Sequence, residues 1–302
     1  MQKKHIFFTF TFFLSILSDC FAKKQMETLQ SFEFINKDGQ VCSELLEILK
    51  LTNVQTDGSL SDIVNKTQTA WLRKPGTERW EIDKLITEHN AELKTLFHAM
   101  KMYDEFKPTT KHYTHLLVLG ALFKRMDQRF THAIELYKSG IHFDNIVLLA
   151  GARPAVAQQG ENIQTFLNYS KLQTLENIPQ TETEMLQFIY TYASMPEAMR
   201  KIPVQIINAP MQTTTSGKLT RPTTADTFIE WIKTNPKLGN CLAISNQPYI
   251  EYQQSVIARF LPSNFSIETV GAAASKNEEE PALILDTLAR ILYQEQQRLQ
   301  KK

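Results

Sequence analysis

Five short and nearly continuous apolar runs recur along the chain after Pro108. They read HLLVLG, NIVLLAG, VQIINAP, CLAISN and FSIETVG. Runs of this kind are typical of β-strands that are covered on both faces. Because segments with helical periodicity separate them, the pattern predicts an α/β fold: a three-layer, Rossmann-like arrangement with a mostly parallel sheet.

The segments between the runs carry apolar residues at three- and four-residue steps, which is the period of an amphipathic helix. One predicted helix ends at Gly140, a residue type that often follows a helix C-terminus, and another opens at the hydroxyl caps of Thr223 and Thr224. The predicted helices are Met126 to Ser139, Thr223 to Thr234, Tyr249 to Phe260 and Pro281 to Leu299.

Residues 23–110 have a helical but irregular pattern. The clearest stripe runs from Glu78 to Met102, with Thr77 as the expected N-cap. We therefore expect three parts: a signal peptide at residues 1–22, a helical N-terminal extension or cap at 23–110, and a Rossmann-like domain at 111–302.

The first 22 residues combine a basic start, a short apolar run and Ala22 at a plausible cleavage point, as secretory signal peptides do. The alternatives are an uncleaved anchor and, through Cys20, a lipoprotein signal. The apolar run is shorter than the ~20 residues that a membrane span needs. We expect cleavage after Ala22, no transmembrane span in the mature chain, and a periplasmic or secreted protein.

Charge is balanced, with 33 lysines and arginines against 32 acidic residues. This balance argues against a nucleic-acid partner, so recognition must be local. Cys42 and Cys241 would remain in the exported chain. They could form one disulfide or stay as two separately buried thiols.

Common catalytic patterns are missing from the sequence. All seven histidines precede residue 143, whereas a Ser-His-acid relay needs an imidazole beside its nucleophile. Only a histidine of the N-terminal cap could fold over the sheet to supply one. There is no CxxC, HExxH, GxGxxG or GxxxxGK[ST] motif, so we expect no metal site and no standard dinucleotide site, and the cofactor stays unknown.

Polar residues follow the predicted strands where a parallel sheet binds its ligands, beyond the carboxyl ends of the strands. Arg125, Arg129, Arg153 and Arg221 lie near predicted helix starts, which suits a phosphate or carboxylate group. Taken singly, each arginine could instead be a surface or ion-pair residue. Glu184 and Asp226 could orient a ligand or an arginine, or be ordinary acids of helix N-termini.

Residues 111–300 resemble the bacterial ElyC/SanA/YdcF-like family. The similar segments are LLVLGALFKRMDQRFTHAIELYKSG, NIVLLAGARP, Thr183-Glu184, residues 223–227 and LAISNQPYIEYQ. The chain departs from the family pattern at Ala121, at Ala150-Gly151-Ala152 and at Asp226, and Tyr249 with Tyr252 or Gln253 replaces an expected histidine and arginine.

The resemblance implies a Rossmann-like fold and a link to cell-envelope polysaccharide or peptidoglycan metabolism. One family member is described as binding S-adenosylmethionine. The resemblance does not imply any activity that depends on the replaced histidine.

Our leading hypothesis is an exported envelope protein that binds a small anionic or nucleotide-like ligand; whether it also acts on the ligand is left open. The alternative is a catalytically inactive scaffold whose helical cap meets another envelope protein. The predicted ligand site comprises Gly120, Ala121, Arg129, Gly151, Arg153, Glu184, Thr224, Asp226, Ser245, Asn246, Gln247 and Tyr249.

Overall fold

A five-stranded parallel sheet forms the centre of the molecule in the computed structural model, which describes residues 31–74, 77–82, 85, 87–215, 217–276 and 279–300. Its strands are β1 His112–Leu119, β2 His142–Gly151, β3 Val204–Ala209, β6 Asn240–Asn246 and β7 Ser266–Ala272. Their order in the sheet is β3-β2-β1-β6-β7. Each of the five apolar runs forms one of these strands, so the predicted fold class is confirmed.

The strand order reverses between β1 and β6, although all five strands stay parallel. The chain builds β1, β2 and β3 toward one edge, then returns to place β6 on the other side of β1, with Leu116 beside Leu242. β7 then pairs with β6 in parallel. The carboxyl ends of β1 and β6 therefore flank the switch point, which is where open α/β sheets bind their ligands.

Helices cover both faces of the sheet because alternate strand residues point to opposite sides. On one face, Leu116 and Val118 pack with α4 Phe123–Lys138, α5 Ile163–Ser170 and α6 Glu182–Tyr192. On the other face, Leu117 and Leu119 pack with α8 Thr224–Ile232 and α9 Ile250–Phe260. The short helix α7, Glu197–Arg200, precedes β3.

The described N-terminal residues, from 31 onward, form a layer of three helices, α1 Ser43–Leu51, α2 Leu60–Ala70 and α3 Asn90–Ala99. Their buried side chains share one apolar cluster with the last helix, α10 Pro281–Leu299. Gln68 Nε2 also donates to the Ala289 carbonyl at 2.7 Å. The N-terminal layer is therefore packed on the sheet domain through α10.

The predicted long helix from Glu78 to Met102 is wrong. A 3₁₀ turn spans Arg79–Glu81, Ile82 is extended, and α3 begins only at Asn90, so Thr77 caps no long helix. Glu78 and Arg79 instead reach across to Arg221 and Tyr249. These tertiary contacts override the local periodicity, which is a weak determinant on its own.

Smaller differences concern element ends and a hairpin. Helix α4 begins at Phe123, three residues before the predicted start, and Gly140 follows it with a positive φ of 94°. After β3 the chain forms an antiparallel hairpin of β4 Gln212–Thr213 and β5 Leu219–Thr220, which the sequence analysis did not predict.

Both cysteines of the described chain are unpaired, so the disulfide alternative is not realised. Burial raises the pKa of Cys42 to about 11 and that of Cys241 to about 12, which keeps both thiols protonated. The predicted signal peptide, residues 1–22, lies outside the described residues. In the part that is described, none of the helices has the length and apolar character that crossing a bilayer requires.

Candidate functional site

Arg129 lies at the switch point of the sheet, on α4, and is only 2% exposed. Its Nη1 donates to the carbonyls of Leu119 and Gly120, both at 2.8 Å, at the end of β1. Its Nε and Nη2 donate to Asn246 Oδ1 at 3.2 and 3.0 Å, at the end of β6. The guanidinium therefore bridges the two strand ends between which a ligand crevice is expected.

Within the described chain Arg129 makes no hydrogen bond to a carboxylate: its hydrogen bonds go to carbonyl oxygens and a side-chain amide, and Glu182 attracts it only through space. Burial, followed by the neighbouring charges of Arg125 and Arg79, lowers the pKa of Arg129 to about 9. The side chain is still cationic at neutral pH. The crevice thus has a buried positive charge at its base.

Two more arginines lie over one aromatic ring. The guanidinium carbon of Arg79 is 4.0 Å from the centroid of Tyr249, and that of Arg125 is 5.3 Å from it. Tyr249 is 1% exposed and precedes α9. The cation–π attraction holds both cations at the crevice despite their mutual repulsion.

Arg79 has a buried donor that no described residue satisfies. Its Nε is buried and makes no hydrogen bond, and the described chain supplies no ion pair for this guanidinium. A buried unsatisfied donor costs about 1–3 kcal/mol, and native structures contain few of them. Arg79 is the donor in this site that most needs an acceptor.

Arg221 completes the set, and we call Arg79, Arg125, Arg129 and Arg221 the arginine cluster. Arg221 Nη2 lies 2.9 Å from Glu78 Oε2. Burial lowers the pKa of Arg221; Glu78 opposes this effect, and Arg79 adds to it. Arg79 of the cluster lies between α2 and α3, Arg125 and Arg129 lie on α4, and Arg221 directly follows β5.

Arg153 lies beside the cluster and forms ion pairs with the carboxylates of Glu161 and Glu182. Its Nη1 and Nη2 donate to the two oxygens of Glu161, both at 2.8 Å, and its Nε lies 3.5 Å from Glu182 Oε1. Its Nη2 also donates to the Ala121 carbonyl at 3.0 Å. Burial alone would lower the pKa of Arg153, but the bonds to Glu161 and the charge of Glu182 outweigh it and raise that pKa.

Glu182 is the acid of the site that the sequence analysis missed. Its Oε2 accepts from Gly151 N at 3.1 Å, and a Cβ added to Gly120 would lie 2.7 Å from the same oxygen. Only glycine at position 120 lets the carboxylate come this close. Burial raises the pKa of Glu182, and the charge of Arg153 opposes that rise.

A signal for Glu182 was present in the sequence. Thr181 is the N-cap of α6 and accepts from Glu184 N at 3.2 Å, while the Glu184 carboxylate accepts from Gln180 N at 2.6 Å. Ser or Thr followed three residues later by Glu marks a helix-capping pair. That pattern assigns Glu184 to capping and leaves Glu182 as the acid available to the site.

The acids at positions 184 and 226 are helix N-terminal residues, the second of the two interpretations given above. Asp226 accepts from Thr223 N and Oγ1, both at 2.7 Å, in a capping box, and Thr224 opens α8 beside it. Glu184 is exposed. Their hydrogen bonds stay within their own helix starts and do not reach the arginine cluster.

The polar residues that end β6 tie the sheet to the N-terminal layer. Gln247 Nε2 donates to the carbonyls of Lys101 and Asp104, both at 2.9 Å, while its Oε1 and the Oγ of Ser245 are buried with no hydrogen-bond partner. Asn246 Nδ2 donates to the Gln247 carbonyl at 2.9 Å. This segment therefore holds the N-terminal layer on the sheet and also lines the crevice.

Most of the predicted site residues do come together. Hydrogen bonds link Gly120, Arg129 and Asn246, and a second set links Ala121, Gly151 and Arg153 through Glu161 and Glu182. Histidines 112, 115 and 142 lie toward the amino ends of β1 and β2, at the opposite edge of the sheet. In the described residues, no three His, Cys, Asp or Glu side chains lie close enough to hold a metal ion.

Comparison of the chain with protein-family models, with curated proteins and with solved structures gave no match. The resemblance to the ElyC/SanA/YdcF-like family therefore stays a prediction, and the functional argument rests on the geometry of the site.

Proposed function

We propose that the chain binds a small anionic ligand at the carboxyl ends of β1 and β6, against the arginine cluster. The observation that carries the proposal is Arg79: a guanidinium that is partly buried, held over Tyr249, and left with an unsatisfied buried Nε. Arg129, held by backbone carbonyls, would supply positive charge from the base of the crevice. Arg79, Arg125 and Arg221 would contact the ligand.

The local charge supports a ligand with two negative charges. Among the described residues, Arg153 and Arg221 pair with carboxylates, whereas Arg79 and Arg129 make no ion pair. These two guanidinium groups would neutralise a phosphate monoester or balance part of the charge of a diphosphate. The planar fork of arginine matches phosphate oxygens in geometry as well as in charge.

The geometry favours the anionic part of a nucleotide-like ligand over its base. The Tyr249 ring is 1% exposed and two guanidinium groups lie over it, so this ring is not a free stacking surface. We therefore propose a phosphate-type group as the recognised feature and name no cofactor.

Export and a place in envelope polysaccharide metabolism are part of the proposal, on the grounds of the N-terminal sequence and the family resemblance. Residues 1–22 lie outside the described chain, so these grounds are those of the sequence alone.

One observation favours the second candidate, an interaction protein without catalysis. Protein groups themselves fill the switch point: Arg129 and Asn246 satisfy each other, and Gln247 binds the carbonyls of Lys101 and Asp104 in the N-terminal layer. On this alternative, the charges of the cluster would serve to position the N-terminal layer as a docking surface for another envelope protein.

Titration calorimetry and thermal unfolding with inorganic pyrophosphate, a phosphate monoester and a nucleotide separate the two candidates. We expect pyrophosphate to raise the melting temperature of the wild type, and Arg79→Gln to weaken binding at least about tenfold, the loss of one charge-assisted bond. Arg200→Gln, at an exposed residue of helix α7, removes the same charge and should bind as the wild type does. If none of the three anions stabilises the wild type, the anion site is refuted and the interaction protein is favoured.

A further inference from the structure

Residues 71–74 and 77–82 lie between α2 and α3, and we call them the strap; Glu78 and Arg79 of the strap reach Arg221 and Tyr249 at the crevice. It is anchored before it reaches the arginine cluster. Arg73 donates to Asp286 from its backbone N at 3.1 Å and from Nη1 at 3.2 Å, and its Nε donates to the Thr77 carbonyl at 2.8 Å. Because Asp286 is 1% exposed, this anchor is part of the protein interior.

The strap places the carboxylate of Glu78 beside the arginine cluster, next to Arg79. Glu78 Oε2 lies 2.9 Å from Arg221 Nη2, with the two side chains 32% and 38% exposed; the contact is an ion pair, and this oxygen makes no hydrogen bond within the described chain. The turn that follows holds Glu78 in place, since Glu81 accepts from Glu78 N at 2.5 Å. Arg221 thus already has a carboxylate partner at the position where an anionic ligand would meet it.

We infer that Glu78 is an internal competitor for the ligand anion at Arg221 and that it determines which anions bind. The inference rests on the proposed anion site. A ligand carboxylate that displaced Glu78 would exchange one carboxylate for another and leave Glu78 without its partner. A phosphate group has nearly twice the charge and three acceptor oxygens, so it gains at Arg79, whose Nε has no acceptor in the described chain, what it loses at Glu78. The site therefore selects phosphate or diphosphate over carboxylate ligands.

The test is titration calorimetry of the full exported chain with inorganic pyrophosphate and with malonate, on the wild type, Glu78→Gln and Glu81→Gln. Glu81→Gln is the matched control: it removes the same charge three residues along the same turn, and glutamine still serves as the third residue of a capping box. Glu78→Ala is the second variant if Glu78→Gln does not fold.

We expect pyrophosphate to bind the wild type and to bind Glu78→Gln about fivefold to tenfold more tightly, with Glu81→Gln within about twofold of the wild type. Malonate should bind Glu78→Gln but not the wild type.

An equal gain in pyrophosphate affinity for Glu78→Gln and Glu81→Gln would mean that the loss of one negative charge near the site, and not the contact with Arg221, causes the gain. That result overturns the role of Glu78 and leaves the anion site in place. Wild-type binding of malonate as tight as that of pyrophosphate overturns the selection as well. Failure of every variant to bind either anion removes the anion site itself, and this inference with it.

Discussion

Glu251 gives the sharpest test of the energetics of this fold. It lies on α9, is 7% exposed, and its Oε1 accepts from the backbone N of Phe32 at 2.8 Å. Burial raises its pKa from 4.5 to about 7, the Phe32 N–H opposes the rise, and Glu295 adds to it. The perturbation is Glu251→Gln, which removes the charge and keeps an oxygen for Phe32.

The magnitude follows from the shift in the pKa. A carboxyl with a pKa of about 7 when folded and 4.5 when unfolded favours the folded state fully below about pH 4.5. That contribution is lost as the pH rises through about 7. Each pKa unit corresponds to ~1.4 kcal/mol, so the free energy of unfolding of the wild type should fall by ~3 kcal/mol across this window.

Urea denaturation at about pH 4.5 and about pH 8 measures the effect. We expect Glu251→Gln to unfold within ~0.5 kcal/mol of the wild type at the lower pH and to be ~2–3 kcal/mol more stable at the higher pH. The exposed Glu92→Gln on α3 is the control and should show no such dependence. An equal change for Glu251→Gln at both pH values would refute a buried carboxylate as the cause.

Three further substitutions test the packing of the charges. Asn246→Ala removes the acceptor of two Arg129 bonds and should lower the free energy of unfolding by ~2–3 kcal/mol in urea; an unchanged midpoint would show that this bridge is dispensable. Asp286→Asn takes the buried partner from Arg73 and Arg290, and we expect a loss of ~3 kcal/mol by the same measurement, against a loss below ~0.5 kcal/mol if the network is only peripheral. Arg79→Gln relieves repulsion within the cluster, so the ligand-free protein should melt at the same or a higher temperature than the wild type, and a clear fall would mean that Arg79 is structural.

Much of the sheet could be predicted because its signal is local. A strand between two helical layers must be apolar at consecutive positions, and β1 is buried at every residue after His112. The helix from Pro281 to Leu299 was predicted at both ends, since proline suits a first helical turn and the stripe is continuous. Once the strands are parallel, their carboxyl ends share one edge, which is why Arg129 and Asn246 were expected near each other.

The sequence analysis missed Glu182, although the capping pattern marks Glu184 as a helix N-terminal acid. Only the fold shows that Glu182 approaches Gly120 while Glu184 faces solvent. In the same way, the periodicity from Glu78 to Met102 favours a helix, but helical propensity amounts to less than ~1 kcal/mol per residue. The contacts of Glu78 and Arg79 with the sheet outweigh it.

What the sequence by itself determined is the α/β architecture and the edge of the sheet at which polar side chains collect, because both follow from which residues must leave water. The tertiary structure alone decided which charges meet there. Arg79, Arg129 and Arg221 are far apart along the chain, and no local pattern relates them. Their meeting depends on how the N-terminal layer packs on α10 and brings the strap to the crevice, and electrostatic interaction energies depend on those final distances and on burial.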